Sequence, residues 1–219
     1  HILARFEEIN ALLEQLAPFT LRLEHAVSSE EQKSVSTQVE RQYKVLRAHF
    51  KELENELRDL EASLAIDEEV LDDAEREILL TNIRSAYKTL EGKLRSAQKF
   101  YSDFKTASKK KLTRQVRNMD ADGALTDEQI EVMAEQNPDA VTDLVQQQLF
   151  GKASAKLQYE AQDILEKCEG IKRLQKNVRE LLDMIKDISK VVALQGEQIN
   201  SIAEHVTQAR DYVVKGNAH

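Results

Sequence analysis

Residues 171–214 read IKRLQKNVRELLDMIKDISKVVALQGEQINSIAEHVTQARDYVV. Apolar side chains recur there at alternating gaps of three and four: Ile171, Leu174, Val178, Leu181, Ile185, Ile188, Val192, then Ile199, Ile202, Val206, Ala209 and Val213. One position in that register is polar, Gln195, near the middle. A repeat of about 3.5 residues keeps one stripe of a helix turned toward partner helices and predicts a left-handed coiled coil. Leu182, Met184 and Val191 widen the stripe, while Lys172, Lys176, Arg179, Asp183, Lys186, Lys190, Glu197, Glu204 and Asp211 hold the far side. A two-stranded coil needs only the narrow seam, so the flanking apolar positions predict one strand of a larger bundle. A lone amide in such a seam acts as a register device, fixing alignment and helix number at some cost in stability.

The rest of the composition points the same way. With 219 residues the chain can form one large or two small domains, and its 41% hydrophobic content suffices for a buried core. Two prolines, six glycines, no tryptophan and 32% charged residues, without sustained period-two alternation, predict an all-α fold of long helices. A net charge of -8 opposes general nucleic-acid binding, which needs cationic surface against phosphates. The single Cys168 excludes an intrachain disulfide framework and fits a reducing compartment. No apolar run reaches the roughly 18 residues of a membrane span. The chain starts at His1 inside a helical pattern and stops at His219 just past the heptads, so it is expected to be a soluble piece of a longer protein.

Three amphipathic helices precede the heptads. The first carries Ile2, Phe6, Ile9, Leu13, Leu16, Leu23 and Val27, with Pro18 expected to bend it rather than stop it. Ser28, Ser29, Glu30 and Glu31 end that helix and can cap the next. The second carries Val39, Tyr43, Leu46, Phe50, Leu53, Leu57, Leu60 and Leu64. The third, from near Glu68 past Leu112, carries Ile83, Tyr87, Leu90, Leu94, Ala97, Tyr101 and Phe104. Long stripes joined by short polar loops predict an antiparallel three-helix bundle.

A basic run of Lys109, Lys110, Lys111, Arg114 and Arg117 follows. It reads as a solvated helix end whose cations complement terminal carbonyls, with attraction to anionic headgroups as the alternative. Asn118, Asp120, Asp122, Gly123, Leu125 and Gln129 then mimic a calcium loop. The first ligand would be an amide, and Gln129 cannot supply the closing bidentate carboxylate, so a polar turn is expected and no metal. Thr126, Asp127 and Glu128 start a short helix with Ile130, Met133 and Ala134 on one face, and Asn137-Pro138 ends it.

The segment built from Val192, Gln195-Gly196-Glu197, Ile199 and Ile202, with Leu181 and Asp183-Met184 upstream, resembles the centre of a syntaxin (Qa-type) SNARE motif. The resemblance covers essentially the whole chain, strongest from Leu181 to Val206 and weakest in the first helix. It is nearest to plasma-membrane syntaxins. It implies that Gln195 forms the polar central layer of a four-helix complex with two further glutamines and one arginine, and that the stripe from Ile171 to Val213 supplies the hydrophobic layers. It also implies a Habc regulatory three-helix bundle over 1–118, a linker with a short helix over 119–152 and the SNARE motif over 153–219. In the closed form these make a four-helix bundle. The run from Leu125 to Asn137-Pro138 resembles the syntaxin linker, where a Leu-Glu pair helps hold the SNARE helix folded back; here Ile130-Glu131 occupies that pair, with the side-chain branch moved.

In function, the resemblance implies vesicle docking and membrane fusion at the cytoplasmic face of a membrane, with the plasma membrane as the expected one. The implied partners are a vesicle R-SNARE, SNAP-25-like Qb/Qc helices and a Sec1/Munc18-like protein, with a C-terminal membrane anchor beyond the sequence and no cofactor. An enzyme finds no support. None of His25, His49, His205 or His219 has a Glu three residues before it, as a di-iron bundle would need, and H-E-x-x-H, G-x-G-x-x-G and P-loop motifs are absent from the sequence. Cys168 falls where the heptad register falters and reads as a packed thiol rather than a nucleophile. The rival reading is a non-fusogenic spectrin-like scaffold or tether. It accounts for the heptads but not for the central Gln195 followed by Gly196-Glu197.

Overall fold

The computed structural model describes the backbone of residues 1–66, 73–119, 125–149 and 155–216, and the side chains of 1–64, 74–119, 125–137, 139–147 and 155–195. Six helices account for it: α1 (Ile2–His25), α2 (Ser29–Ile66), α3 (Asp73–Met119), α4 (Asp127–Gln136), α5 (Pro138–Leu149) and α6 (Ala155–Gly216). The described residues contain no strand. No helix among them is long and apolar enough to cross a membrane.

The helix boundaries follow local chemistry. Pro18 lies inside α1 without ending it, and the helix runs on to His25, where the N–H of Ala26 still reaches the Arg22 carbonyl at 2.9 Å. Ser28 then starts α2: its Oγ accepts from the Glu31 N–H at 3.1 Å, and the Glu31 carboxylate accepts from the Val27 N–H at 3.2 Å. Two orphan donors are satisfied reciprocally, so the turn between α1 and α2 needs only three residues.

Long-range pairs fix the directions. Arg5 meets Glu52 and Glu56 at 2.6 and 2.7 Å while Gln15 accepts from Gln42 at 3.2 Å, so α1 and α2 are antiparallel. Lys167 Nζ donates to Gln115 at 2.6 Å and Ser189 Oγ to Glu91 at 2.7 Å, so α6 runs antiparallel to α3. Helices α1, α2, α3 and the central part of α6 therefore form an up-down-up-down bundle. Its core holds Ile9, Leu16, Leu46, Phe50, Leu53, Leu57, Leu90, Leu94, Tyr101 and Phe104, joined by Leu181, Ile185 and Ile188 from α6. Tyr43 and Tyr101 meet edge to face inside it, with ring centroids 5.1 Å apart, the geometry that aromatic quadrupoles favour.

A second core lies at one end, and the sequence reading missed half of it. Leu112, Val116 and Met119 of α3 pack with Ile130 and Ala134 of α4, Val141 and Val145 of α5, and Ala161, Ile164, Cys168 and Ile171 of α6. The expected linker with one short helix contains two helices. Asn137 caps α4 as its spacing suggests, but Pro138 is the first residue of α5 rather than a terminator, because a first-turn N–H is orphaned in any helix and proline loses nothing there. Cys168 is also placed differently. Ala161, Ile164, Cys168 and Ile171 keep the three-and-four spacing, so the register does not falter at Cys168 but continues through it, and the thiol is fully buried.

Candidate functional site

The apolar stripe of α6 is the candidate site, and its described part is covered. Ile171, Leu174, Val178, Leu181, Ile185 and Ile188 are buried, Val192 is half-buried, and the polar Gln195 is only 6% exposed. Met184 and Val191 from the widened flank pack against the same core, while Leu182 stays exposed. Lys176, Arg179, Asp183, Lys186 and Lys190 face solvent as their spacing requires. Ile199, Ile202, Val206, Ala209 and Val213 lie outside the residues whose side chains are described, although the helix backbone continues through them.

The two flanks of α6 differ in chemistry. Against α3 the contact is continuous and mainly apolar, with polar links where Gln115 meets Asp163 and Lys167 and where Ser189 meets Glu91. Toward α2 the approach is looser and the links are polar. Tyr43 donates to Glu180 at 2.7 Å, and Arg47 lies 3.0 Å from the same carboxylate. Burial first, then this carboxylate, pushes the Tyr43 hydroxyl well above the usual tyrosine range. Asp163 gathers Ser29, Gln115 and Lys167 from α2, α3 and α6 at 2.6, 2.6 and 2.7 Å. Burial would raise its carboxyl, but the hydrogen bonds from Lys167, Ser29 and Gln115 outweigh that and hold it below the usual range.

Gln195 sits at the end of the described seam. Its Nε2 donates to Glu61 of α2 at 2.9 Å, and its Oε1 meets no partner among the described residues. Burial and then the Glu61 charge push the nearby Tyr87 hydroxyl up to about 12. The amide therefore occupies a buried polar position that is only half satisfied.

In the linker, Ile130 is 1% exposed and centres the second core. Glu131 is exposed and has no hydrogen-bond or ion-pair partner among the described residues. The α4 carboxylate that does bind is Glu135, one turn later. It takes Lys105 at 3.0 Å and also Lys109, both from α3, and these hydrogen bonds hold its carboxyl below the usual range. Its backbone carbonyl accepts from Gln175 of α6 at 3.1 Å. On α5, Asp139 pairs with Lys172 of α6 at 2.6 Å. Sequence spacing offered no sign of Glu135, because its partners lie 26 to 40 residues away.

The basic run is likewise put to internal use. Lys109 binds Glu135, Lys111 donates to the Ala26 carbonyl at 2.9 Å, and Arg117 pairs with Asp127, leaving Lys110 and Arg114 exposed. Of the calcium-like positions, Asp120, Asp122 and Gly123 lie outside the described residues. The Gln129 side chain accepts from the Thr126 N–H at 2.8 Å while Thr126 Oγ1 accepts from the Gln129 N–H at 3.2 Å, so it closes a capping box. Burial pushes the Cys168 thiol up to about 11, far from the thiolate that nucleophilic chemistry needs.

Two similarities to known proteins bear on the covered stripe. A SNARE domain family model matches residues 162–219, which takes in the stripe and Gln195. The fold matches a chain in the crystal structure of the Unc18-syntaxin 1 complex from Monosiga brevicollis, with a TM-score of 0.66 over 94% of this chain and 85% of that chain, at 20% sequence identity. Residues 162–219 match the SNARE domain family, and the chain shares the fold of that syntaxin-complex structure. Helix α6, which carries the matched residues, is folded back on a three-helix bundle, and α4 and α5 form the connection that returns it there.

Proposed function

We propose that this chain is a Qa-type SNARE that docks and fuses membranes by zippering α6 with three partner helices, and that its Habc domain, residues 1–118, holds α6 closed until then. One observation carries the reading: the stripe that matches a SNARE domain, with one amide at Gln195 in an otherwise aliphatic register, is covered by the bundle over its described part, from Ile171 to Gln195. A surface covered in the free chain becomes a partner surface only after exchange, so the closed bundle competes with assembly. The layers from Ile171 to Val213 would supply the work of zippering at roughly 1.5 to 3 kcal/mol gross for each large aliphatic residue. Ordering the chain offsets much of this, at roughly 1 to 2 kcal/mol for each backbone residue. Gln195 would then exchange Glu61 for the central polar layer.

The partners of this reading are a vesicle R-SNARE, SNAP-25-like Qb/Qc helices and a Sec1/Munc18-like protein that grips the closed form. The similar solved fold was itself captured in a complex with Unc18, which supports the last of these. The chain would act without catalysis at the cytoplasmic face of a membrane, the plasma membrane in our reading. Mixing residues 1–219 with purified R-, Qb- and Qc-SNARE helices tests it. A stable four-helix complex that crosslinks through position 195 is expected. Failure to assemble with any SNARE set, alongside capture of cytoskeletal partners, would favour the scaffold.

A further inference from the structure

A ladder of polar contacts joins α2 to α6 in parallel register along the described residues. Ser29 donates to Asp163 at 2.6 Å, Lys33 pairs with Glu166 at 2.6 Å, and Glu40 pairs with Arg173 at 3.0 Å. Tyr43 and Arg47 then converge on Glu180, at 2.7 and 3.0 Å, and Glu61 takes Gln195 at 2.9 Å. Beneath the first three lies a cavity of about 470 Å³ with an apolar floor that includes Leu23, Phe104, Leu165, Ile171 and Leu174. Over that stretch α2 and α6 are therefore linked across open space by side-chain ends rather than by packed aliphatic groups. On the α3 side, Leu181, Ile185 and Ile188 share a closed core with Leu90, Leu94 and Tyr101.

The two seams respond to different forces. Partly exposed ion pairs are individually weak and are screened by salt, whereas burial of aliphatic surface is not weakened by it. We propose that the α2–α6 seam is an electrostatic clasp that releases before the apolar α3–α6 seam, so that the SNARE helix first swings off α2 while still held on α3. This rests on the closed state described above, but not on the identity of any partner. Release of the clasp would open the cavity and uncover Ile171 and Leu174, the N-terminal end of the stripe, without dissolving the bundle.

Nitroxide pairs on the full chain separate the two seams, one pair at Lys44 and Arg179 across α2–α6, the other at Lys99 and Arg179 across α3–α6. All three positions are exposed, and fully buried Cys168 is spared by labelling under native conditions. Raising salt from about 0.05 M to about 1 M shortens electrostatic screening to roughly 3 Å. The α2–α6 distance should then lengthen by about one helix diameter, roughly 10 Å, while the α3–α6 distance stays fixed. Glu40→Arg should produce the longer α2–α6 population already at low salt, and combining it with Arg173→Glu should restore the short one. Distances that both hold at high salt, or that lengthen together, would overturn the clasp. Because no partner is present, that failure is distinct from failure to form a SNARE complex.

Discussion

Tyr101 is wholly buried, yet its hydroxyl has no hydrogen-bond partner among the described residues, and burial holds it well above the usual tyrosine range. An unsatisfied buried hydroxyl costs about 1 to 3 kcal/mol, so Tyr101→Phe should stabilise the chain by about 1 kcal/mol in urea unfolding. A loss of stability instead would mean that a buried water satisfies the hydroxyl. Gln195 poses the same problem with a different resolution, since its Nε2 is used and its Oε1 is not. Gln195→Leu removes an orphan acceptor but also takes a donor from Glu61, so the closed chain should change by no more than about 1 kcal/mol. In an assembled four-helix complex the same substitution should keep or raise thermal stability while loosening register, which crosslinking between layers reads directly. A large fall in stability with unchanged register would remove Gln195 from the central layer.

Among the elements, α4 shows where a stripe can be read from sequence and where it cannot. Ile130 and Ala134 were legible because apolar residues three and four apart share a face, and Thr126 with Gln129 because a capping box is local. Helix α5 escaped because Val141 and Val145, with Leu144 half-buried beside them, make a short apolar face among its described residues and Pro138 reads equally well as a stop or a first-turn residue. Glu135 escaped because nothing local separates it from Glu131; only docking against Lys105 and Lys109 does. The same holds for the clasp on α2, whose partners are more than 130 residues apart. Glu135 has a lowered carboxyl, so its contribution is present above the ordinary glutamate value of about 4.3 and is lost as pH falls through the lower folded value. Protection of α4 against hydrogen exchange, corrected for the intrinsic rate, should therefore fall as pH drops below the ordinary glutamate value of about 4.3 in the parent chain and lose that acid step in Glu135→Gln, whereas Glu131→Gln should leave it in place. Ile130→Ala, a large-to-small change at a buried aliphatic, costs ~2 to 5 kcal/mol. Holding a two-state equilibrium about 99% closed takes only about 2.7 kcal/mol, so Ile130→Ala should populate an open form and speed assembly with partner helices, and Glu131→Ala alone should do neither.

At the scale of the whole molecule the question is which parts stand alone. Helices α1, α2 and α3 bury complementary stripes against one another through Ile9, Leu16, Leu46, Leu53, Leu57 and Leu90, all of which are completely buried. A fragment of residues 1–118 keeps this core and loses only the α6 cover, together with the α4, α5 and α6 partners of Leu112 and Val116. It should melt cooperatively, with fraying at its C-terminal end. Residues 160–219 keep one amphipathic helix and none of the surfaces that cover it. An isolated helix gains little from its own hydrogen bonds because nucleation is costly and most helical stability in proteins comes from packing of the apolar face. Circular dichroism of that fragment should show a broad, non-cooperative melt at low concentration, and helicity that rises with concentration as stripes pair between copies. Adding the 1–118 fragment in trans should restore helicity only weakly, because the second core, which anchors α6 through Ile164, Cys168 and Ile171, needs α4 and α5 as well. Extending the first fragment to residue 149 supplies both helices, so that version should bind the SNARE helix more tightly than 1–118 does. Equal binding by the two versions would place the closing energy entirely in the α3 seam and leave the linker helices as a mere connection.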